Sequence, residues 1–472
     1  MLRTISVLLA VAAMIAASIT VSEARVRDRV LVKDDRNEAF DEFERLLPLA
    51  TASDDENNVK EVKDVLTKGK SPWLTVAAIE AVRQAEADKS GSGEVFFNDI
   101  LALMGEDFDK LHKEEIVPLN VIACLGELAI GNEEKTLKVV KAFIDWQRWS
   151  DNQVVRLRHM VERVLMDLCE EDCAFNKDTL TFWEWWVRNT ESKQDPKEAD
   201  KPPEKKSKTA PIIFKAPMVG THVVFVIDVS DSMKWPIKAE DLVRIKKKAD
   251  HLPWDEMPDP PSPMDLAKAE LRHSINQLRP DKNEEGEKKG SKGSKNDEEM
   301  RQFAVLTYSR EIQDFSGGWI EATDKNCNLW MDNVYDLETE SLTNIHGALI
   351  EAFQLNDSGK KPSEREIPVD KNCVLTGAHT IVFLTDGYPT WSMDSTAQTG
   401  TDEWGRENQI GDGDYVKRDK LIELERTFNR FRKVVINTVG IGIHDKELMK
   451  AFAKNTGGGY TDWFCNVDYG QK

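Results

Sequence analysis

Two apolar segments that each end in an aspartate constrain the fold of this chain more than any other feature. HVVFVID covers His222 to Asp228, and HTIVFLTD covers His379 to Asp386. Continuous apolar runs of this length are typical of strands buried on both faces of a parallel sheet. Helical patterns alternate with them, which predicts a doubly wound, mostly parallel, Rossmann-like α/β sheet in residues 213–472.

The other elements of this region are predicted from the same periodicities. Further strands are expected at residues 303–308 and 434–443, and helices at 263–278, 343–353, 421–431 and 446–453. Ser262 followed by Pro263 is typical of a helix start. The roughly thirty residues after Met233 show no clear helical pattern. We interpret them as an insertion beside the carboxyl ends of the strands.

The aspartates at the strand ends predict a cation site. In open α/β sheets, ligands bind outside the carboxyl ends of the strands. Asp228 opens the segment Asp-Val-Ser-Asp-Ser, so its carboxylate and the hydroxyls of Ser230 and Ser232 can converge on one point. Asp386 precedes glycine in a predicted tight turn at the same edge. Oxygen ligands without thiolate or imidazole suit Mg²⁺, Mn²⁺ or Ca²⁺ better than zinc or copper.

These motifs resemble the metal-ion-dependent adhesion site of von Willebrand factor type A (VWA) domains. That family has Asp-x-Ser-x-Ser after its first strand, a threonine in a later loop, and Asp-Gly after its fourth strand. The likeness spans about residues 213–465, and the matching residues are Asp228, Ser230, Ser232, Thr343 and Asp386. It implies a divalent cation, with Mg²⁺ favoured and Mn²⁺ or Ca²⁺ as alternatives. The serines and the threonine would bind it directly, and the aspartates through water. An acidic side chain of a partner protein would complete the coordination shell.

Two positions depart from the family pattern. Asp231 stands between the serines where most members have glycine. It would raise the affinity for Ca²⁺ if it faced the ion, and would have no effect if it faced solvent. Ser341-Leu342-Thr343 replaces the usual glycine-containing turn, which leaves the backbone geometry of this loop open.

Residues 30–190 are predicted to be all-helical, with apolar stripes at helical spacing in 137–146 and 154–168. Ser71-Pro72 marks one helix start. Helices of this length joined by short turns favour a HEAT-like α-solenoid, and a compact irregular bundle is the alternative. An aromatic cluster is expected to cover the end of this core and consists of Phe182, Trp183, Trp185 and Trp186.

Charged segments of low hydrophobicity predict the boundaries. Residues 191–212 are rich in Lys, Glu and Pro and are interpreted as a linker. A second charged stretch, at about 279–301, is predicted to be a disordered insertion in the VWA-like domain. At the amino terminus, residues 1–24 have the pattern of a secretory signal peptide, with an uncleaved membrane anchor as the alternative.

Export would allow disulfides among the six cysteines. The preferred pairs are Cys169–Cys173 and Cys327–Cys373, and six buried thiols are the alternative. None lies in a CxxC pair, and no histidine has zinc-finger spacing, which disfavours a structural zinc site.

Charge and missing motifs exclude several function classes. A formal charge of −20 argues against nucleic-acid binding. The sequence has no glycine-rich phosphate loop, HExxH or Gly-x-Ser-x-Gly motif, which argues against an enzyme. We interpret the chain as an exported bacterial adhesion-type protein that binds a protein partner through the cation, without nucleic acid and without a membrane once the signal is cleaved. A scaffold with a purely structural metal is the alternative, and a metal-assisted hydrolase is less favoured.

Overall fold

The structure is a computed structural model, and a defined set of residues can be described in it. These are residues 35–68, 71–105, 116–149, 154–171, 173–192, 203, 212–213, 216–280, 300–340, 342–355, 377–387 and 416–467. The predicted signal peptide lies outside them, as do most of the predicted linker and residues 281–299 of the charged insertion. These three interpretations therefore stay predictions.

The amino-terminal region is helical, as predicted. Its helices are α1 (Asp35–Thr51), α2 (Glu56–Lys68), α3 (Pro72–Asp88), α4 (Phe97–Ala102), α5 (Ile116–Ala129), α6 (Glu133–Trp149), α7 (Val155–Cys169) and α8 (Leu180–Ser192). Helix α1 packs against α3, α3 against α5, and α5 against α7, so helices two apart in the sequence contact each other. The HEAT-like repeat itself stays a prediction. In the part of the chain that the structure describes, no helix is long and apolar enough to span a bilayer.

Local sequence signals explain where helix α3 begins and how helix α8 covers the core. The Ser71 side chain accepts a hydrogen bond from the Leu74 N–H at 3.3 Å, and Pro72 occupies the first helical position. The aromatic cluster of α8 packs on the helical core, as expected: Phe182 and Trp183 are buried and Trp185 and Trp186 are partly buried. These rings therefore cover apolar surface of the core.

The carboxyl-terminal region forms a mixed, mostly parallel sheet. Its main strands are β3 (His222–Asp228), β4 (Gln302–Tyr308), β5 (Ile312–Asp314), β6 (Ile320–Glu321), β7 (Thr380–Thr385), β8 (Val435–Ile441) and β9 (Tyr460–Trp463), preceded by a short separate ladder of β1 (Ile212–Ile213) and β2 (Ala216–Pro217). The order across the sheet is β5-β4-β3-β7-β8-β9. Strands β5 and β6 pair antiparallel with β4, and the other neighbours are parallel.

Helices cover both faces of this sheet because each central strand is apolar on both sides. On β3, Phe225 and Ile227 join one core, and Val224 and Val226 join the other. The first core includes α9 (Ala239–Lys248), α10 (Pro263–Gln277) and α11 (Asp324–Asn333), and the second includes α12 (Ile345–Gln354), α13 (Arg418–Asn429) and α14 (Lys446–Thr456). The predicted α/β architecture is therefore present.

Helix α9 corrects one interpretation. It lies within the stretch after Met233 that we interpreted as an insertion without a clear helical pattern. Its apolar contribution to the core is small, since Leu242 and Ile245 are its only buried apolar residues. Acidic residues in its first turn and lysines in its last turn match the helix dipole. A signal for this helix was therefore present in the charges and was missed in the hydrophobic pattern.

The predicted disulfide within the helical region is wrong. Cys169 carries a free thiol, so the expected Cys169–Cys173 bond is absent. Cys327 also carries a free thiol, and its expected partner Cys373 lies outside the described residues. Burial raises the pKa of the Cys169 thiol to about 12, which keeps it protonated and unreactive at neutral pH.

The helical region packs directly against the amino ends of the sheet strands. Val219, Phe431 and Val435, which precede or open β3 and β8, belong to the same apolar core as the helices. Asn120 of α5 donates a hydrogen bond to the Phe431 carbonyl at 2.8 Å. This contact lies at the end of the sheet opposite to Asp228.

Candidate metal site

Strands β3 and β7 lie side by side and bring two predicted site residues to one edge. Strand β3 ends at Asp228, β7 ends at Thr385, and Asp386 follows immediately. The strands are parallel, with Ile227 beside Leu384. Strand β4 lies on the other side of β3, so the strand order reverses at this pair. Open α/β sheets bind ligands at such a point.

The serine hydroxyls converge on the second aspartate. Ser232 Oγ lies 2.9 Å from Asp386 Oδ1, and Ser230 Oγ lies 3.3 Å from the same atom. The two hydroxyl oxygens are 2.9 Å apart. The Ser230 N–H donates to Asp228 Oδ1 at 2.8 Å, an Asx turn that bends the chain at the end of β3. Two motifs more than 150 residues apart in the sequence therefore meet here.

Thr343 reaches the same place from the loop before α12. It is buried, and its Oγ1 lies 3.4 Å from the position that a Cβ on Gly387 would occupy. Gly387 directly follows Asp386. The loop is fixed by Asn344, whose N–H donates to the Ser309 carbonyl at 2.8 Å and whose side chain caps the first turn of α12. The structure thus brings all five predicted residues together.

Leu342 shows how this loop is formed without the family's glycine. Its φ is +73°, in the left-handed region that glycine favours. The preceding Glu340 is anchored to the end of β3 by its N–H, which donates to the Val229 carbonyl at 2.7 Å. A left-handed conformation costs a residue with a side chain roughly 1–2 kcal/mol. The backbone strain therefore lies directly beside Thr343, and such strain often accompanies functional sites.

Burial and mutual repulsion set the electrostatics of the two aspartates. Asp228 is fully buried and Asp386 is 5% exposed. Burial raises the pKa of Asp228, although hydrogen bonds from Thr385 and Ser230 oppose the shift. Burial and then the charge of Asp228 raise the pKa of Asp386 well above its usual value. The pair is therefore costly to ionise without a compensating positive charge.

Sequence reasoning missed two residues that hold Asp228. Thr385 Oγ1 donates to Asp228 Oδ2 at 2.7 Å, and the Gly387 N–H donates to Thr385 Oγ1 at 3.1 Å. The Tyr308 hydroxyl lies 3.4 Å from Asp228 Oδ2 and 3.2 Å from the Leu384 carbonyl oxygen. A hydroxyl residue at the last position of β4 or β7 was a usable signal, because it adjoins a carboxylate at the same edge.

Asp231 faces away from this cluster. Its carboxylate pairs with Lys234 at 2.7 Å, and their side chains are 51% and 45% exposed. Of the two outcomes considered from the sequence, the solvent-facing one is found. An exposed pair of this kind contributes little to stability.

The chemistry of the cluster fits a hard divalent cation. The described hydrogen bonds to the two carboxylates come from hydroxyl and backbone N–H groups. Across the residues that the structure describes, no three His, Cys, Asp or Glu side chains form a group that could hold a metal. Here the five residues are two acids and three hydroxyls, a set that suits Mg²⁺ because Mg²⁺ takes oxygen ligands and retains water.

Comparisons with known proteins add little to this geometry. No known family model matches the sequence, and no curated protein matches it. The PilB minor pilin from Streptococcus sanguinis is 16% identical with a TM-score of 0.29, and the match covers 54% of this chain and 59% of the pilin chain. A von Willebrand factor type A protein from Catenulispora acidiphila is 12% identical with a TM-score of 0.22, and the match covers 50% of this chain and 42% of that one. The chain thus spans less than two thirds of either structure. At these TM-scores, neither similarity carries an argument about function.

Proposed function

We propose that residues 213–472 form a VWA domain that holds a divalent cation, with Mg²⁺ favoured, through Asp228, Ser230, Ser232, Thr343 and Asp386. The convergence of Ser230 and Ser232 on Asp386 carries this proposal. A packed sheet would be as stable with apolar residues at this edge, whereas two buried acids surrounded by hydroxyls gain from a cation.

The proposed activity is adhesion-type protein binding. The cluster lies at the end of the sheet opposite to the helical region, and the half-buried Ser232 is the point at which a partner would reach it. An acidic side chain of that partner would occupy an open coordination position on the cation. The signal-peptide pattern of residues 1–24 supports export to the periplasm or the cell exterior.

The first test is direct cation binding to the full-length protein. Wild type should bind Mn²⁺, used as a spectroscopic probe in place of Mg²⁺, with competition by Mg²⁺. Thr343→Ala should weaken binding at least tenfold because a ligand oxygen is removed. Thr427→Ala is the matched control, since its hydroxyl lies on α13 and donates to its own helix. Equal affinity for wild type and Thr343→Ala would overturn the assigned site.

The second test separates adhesion from a structural metal. Proteins captured from an envelope fraction by the wild type should be lost with EDTA and lost with Asp386→Ala. Recovery of the same partner in EDTA would instead favour the scaffold alternative, in which the cation only stabilises the fold.

A further inference from the structure

The contact between the helical region and the sheet contains two histidines whose ring nitrogens accept hydrogen bonds. His159 of α7 accepts the Gly220 N–H at Nδ1, at 3.0 Å. His379, which directly precedes β7, accepts the Thr221 N–H at Nδ1, also at 3.0 Å. An imidazole can accept at Nδ1 only while that nitrogen carries no proton. Both contacts therefore require neutral rings.

Gly220 makes this arrangement possible. Its φ is +80°, and a Cβ at this position would lie 2.4 Å from His379 Nδ1. The backbone of Gly220 and Thr221 thus passes between an imidazole from the helical region and one from the sheet. His159 is 5% exposed and His379 is 3% exposed, so water does not replace either bond.

The charged groups that surround these rings are cationic. Arg158 and Arg301 act on His159, after burial, to lower its pKa to about 3. Burial lowers the pKa of His379 well below its usual value, and the next contributions come from Arg156, His222, Arg432 and His159. Protonating either ring would therefore add a positive charge to a buried basic environment and would remove a backbone hydrogen bond.

We propose that this contact is an acid-sensitive latch, in which neutral His159 holds the helical region on the sheet through the Gly220 N–H, neutral His379 fixes the Gly220–Thr221 backbone that His159 contacts, and protonation releases the helical region. The latch lies at the opposite end of the sheet from the candidate metal site and does not depend on the proposed function.

The direction of the effect follows from linkage. In the separated helical region His159 would titrate near its ordinary pKa of about 6.5. Its pKa in the joined protein is lowered to about 3, so the contact is fully stable above about pH 6.5 and weakens as the pH falls below it. His159 should then shift the equilibrium toward release by up to about tenfold per pH unit.

The experiment uses the full chain with a specific protease site placed in the predicted linker. After cleavage, the helical half is immobilised through a biotin tag, and retention of the other half is measured from pH 8 to pH 4.5. We expect retention above pH 7 and release between pH 6 and pH 4.5. Loss of the other half at pH 8, or its full retention at pH 4.5, would overturn the latch.

His159→Asn is the decisive variant because asparagine Oδ1 can accept the Gly220 N–H and does not titrate. It should retain the other half to a pH about one unit lower than wild type does. His273→Asn, on α10 and outside this contact, is the matched control and should release like wild type. If His159→Asn does not fold, His379→Asn tests the ring that fixes the Gly220–Thr221 backbone and should likewise retain the other half to a lower pH than wild type does. Release at the wild-type pH by the folded variant would contradict the proposal.

Discussion

Both ends of the sheet bury acidic side chains, and they differ in whether cations of the chain lie beside those acids. At the carboxyl ends of β3 and β7, two acids share hydroxyl partners, and both have raised pKa values. At the amino ends, the helical region brings a carboxylate of its own to the sheet. Glu80 of α3 lies 2.6 Å from Lys433, beside β8, and both side chains are nearly buried. At the amino end the buried carboxylate has cations of the chain beside it, whereas at the carboxyl end the two buried acids face each other.

The pKa values of Glu80 and Lys433 show how the buried charges at the amino end act on one another. Burial alone would raise the pKa of Glu80, but the charges of Arg83 and Lys433 outweigh it and lower the pKa to about 2. Burial lowers the pKa of Lys433 to about 8; the charge of Glu80 opposes this shift, and the charge of Arg83 adds to it. The carboxylate thus faces two cations, whereas the lysine faces one charge of each sign. Glu80 is the group on which the cluster depends.

The largest expected effect comes from removing the charge of Glu80 at the amino end. Glu80→Gln keeps the volume but leaves Arg83 and Lys433 close together without their anion. We expect a loss of about 3–5 kcal/mol in the free energy of unfolding, as for other broken buried pairs. Chemical denaturation at pH 7.5 measures it. Glu423→Gln, which disrupts the exposed pair with Lys420, is the control and should change stability by no more than about 0.5 kcal/mol. A loss below about 1 kcal/mol for Glu80→Gln would show that the interface does not depend on this charge.

At the carboxyl end, removing the charge of an acid is expected to stabilise the protein in EDTA. A raised folded-state pKa means that the ionised form of Asp386 opposes folding, increasingly as the pH rises above its unfolded value of about 3.9. Asp386→Asn removes that charge, so the variant should melt above wild type in EDTA at pH 7.5. Wild type should gain about 2.7 kcal/mol in Mg²⁺ at one hundred times its Kd, and the variant should gain nothing. Thermal melts with and without Mg²⁺ decide between these outcomes. A variant that melts below wild type in EDTA would contradict the destabilising charge of Asp386, and one that still responds to Mg²⁺ would contradict its part in the cation site.

The carboxyl end could be predicted from the sequence because its signals are local. An apolar run ending in aspartate places the strand and the carboxylate together, and Ser230 and Ser232 follow within one turn. Thr385 was overlooked although its place at the end of β7 was a usable signal, because threonine is also common inside strands.

The amino end could not be predicted, because its partners are far apart in the chain. Glu80 and Lys433 are separated by 353 positions, and neither carries a pattern that points to the other. Gly457, which follows α14, is a second case. Its φ is +65°, and a Cβ there would lie 1.1 Å from the Arg163 guanidinium, so a larger residue would be strained and would displace this side chain of α7. The Lys-, Glu- and Pro-rich composition of residues 191–212 predicts a linker and carries no sign of this contact. A polar linker does not report how the regions on either side of it pack.

The smallest expected effect concerns Leu342, whose left-handed backbone lies at the carboxyl end; at the amino end, Lys433 has a φ of +52° in the same region. Leu342→Gly allows φ +73° without the steric cost of a side chain, which favours the folded state by roughly 1–2 kcal/mol. Glycine also gains entropy in the unfolded chain, which offsets roughly 0.5–1 kcal/mol. We expect a net gain of at most about 1 kcal/mol in the free energy of unfolding in EDTA. Leu342→Ala is the matched control, because it removes the half-buried side chain but keeps the strained backbone, so it should be less stable than Leu342→Gly. Denaturation of the three proteins in parallel measures the order. If the alanine variant were the more stable of the two, the left-handed backbone at Leu342 would not be a source of strain, and the loop that presents Thr343 would be relaxed.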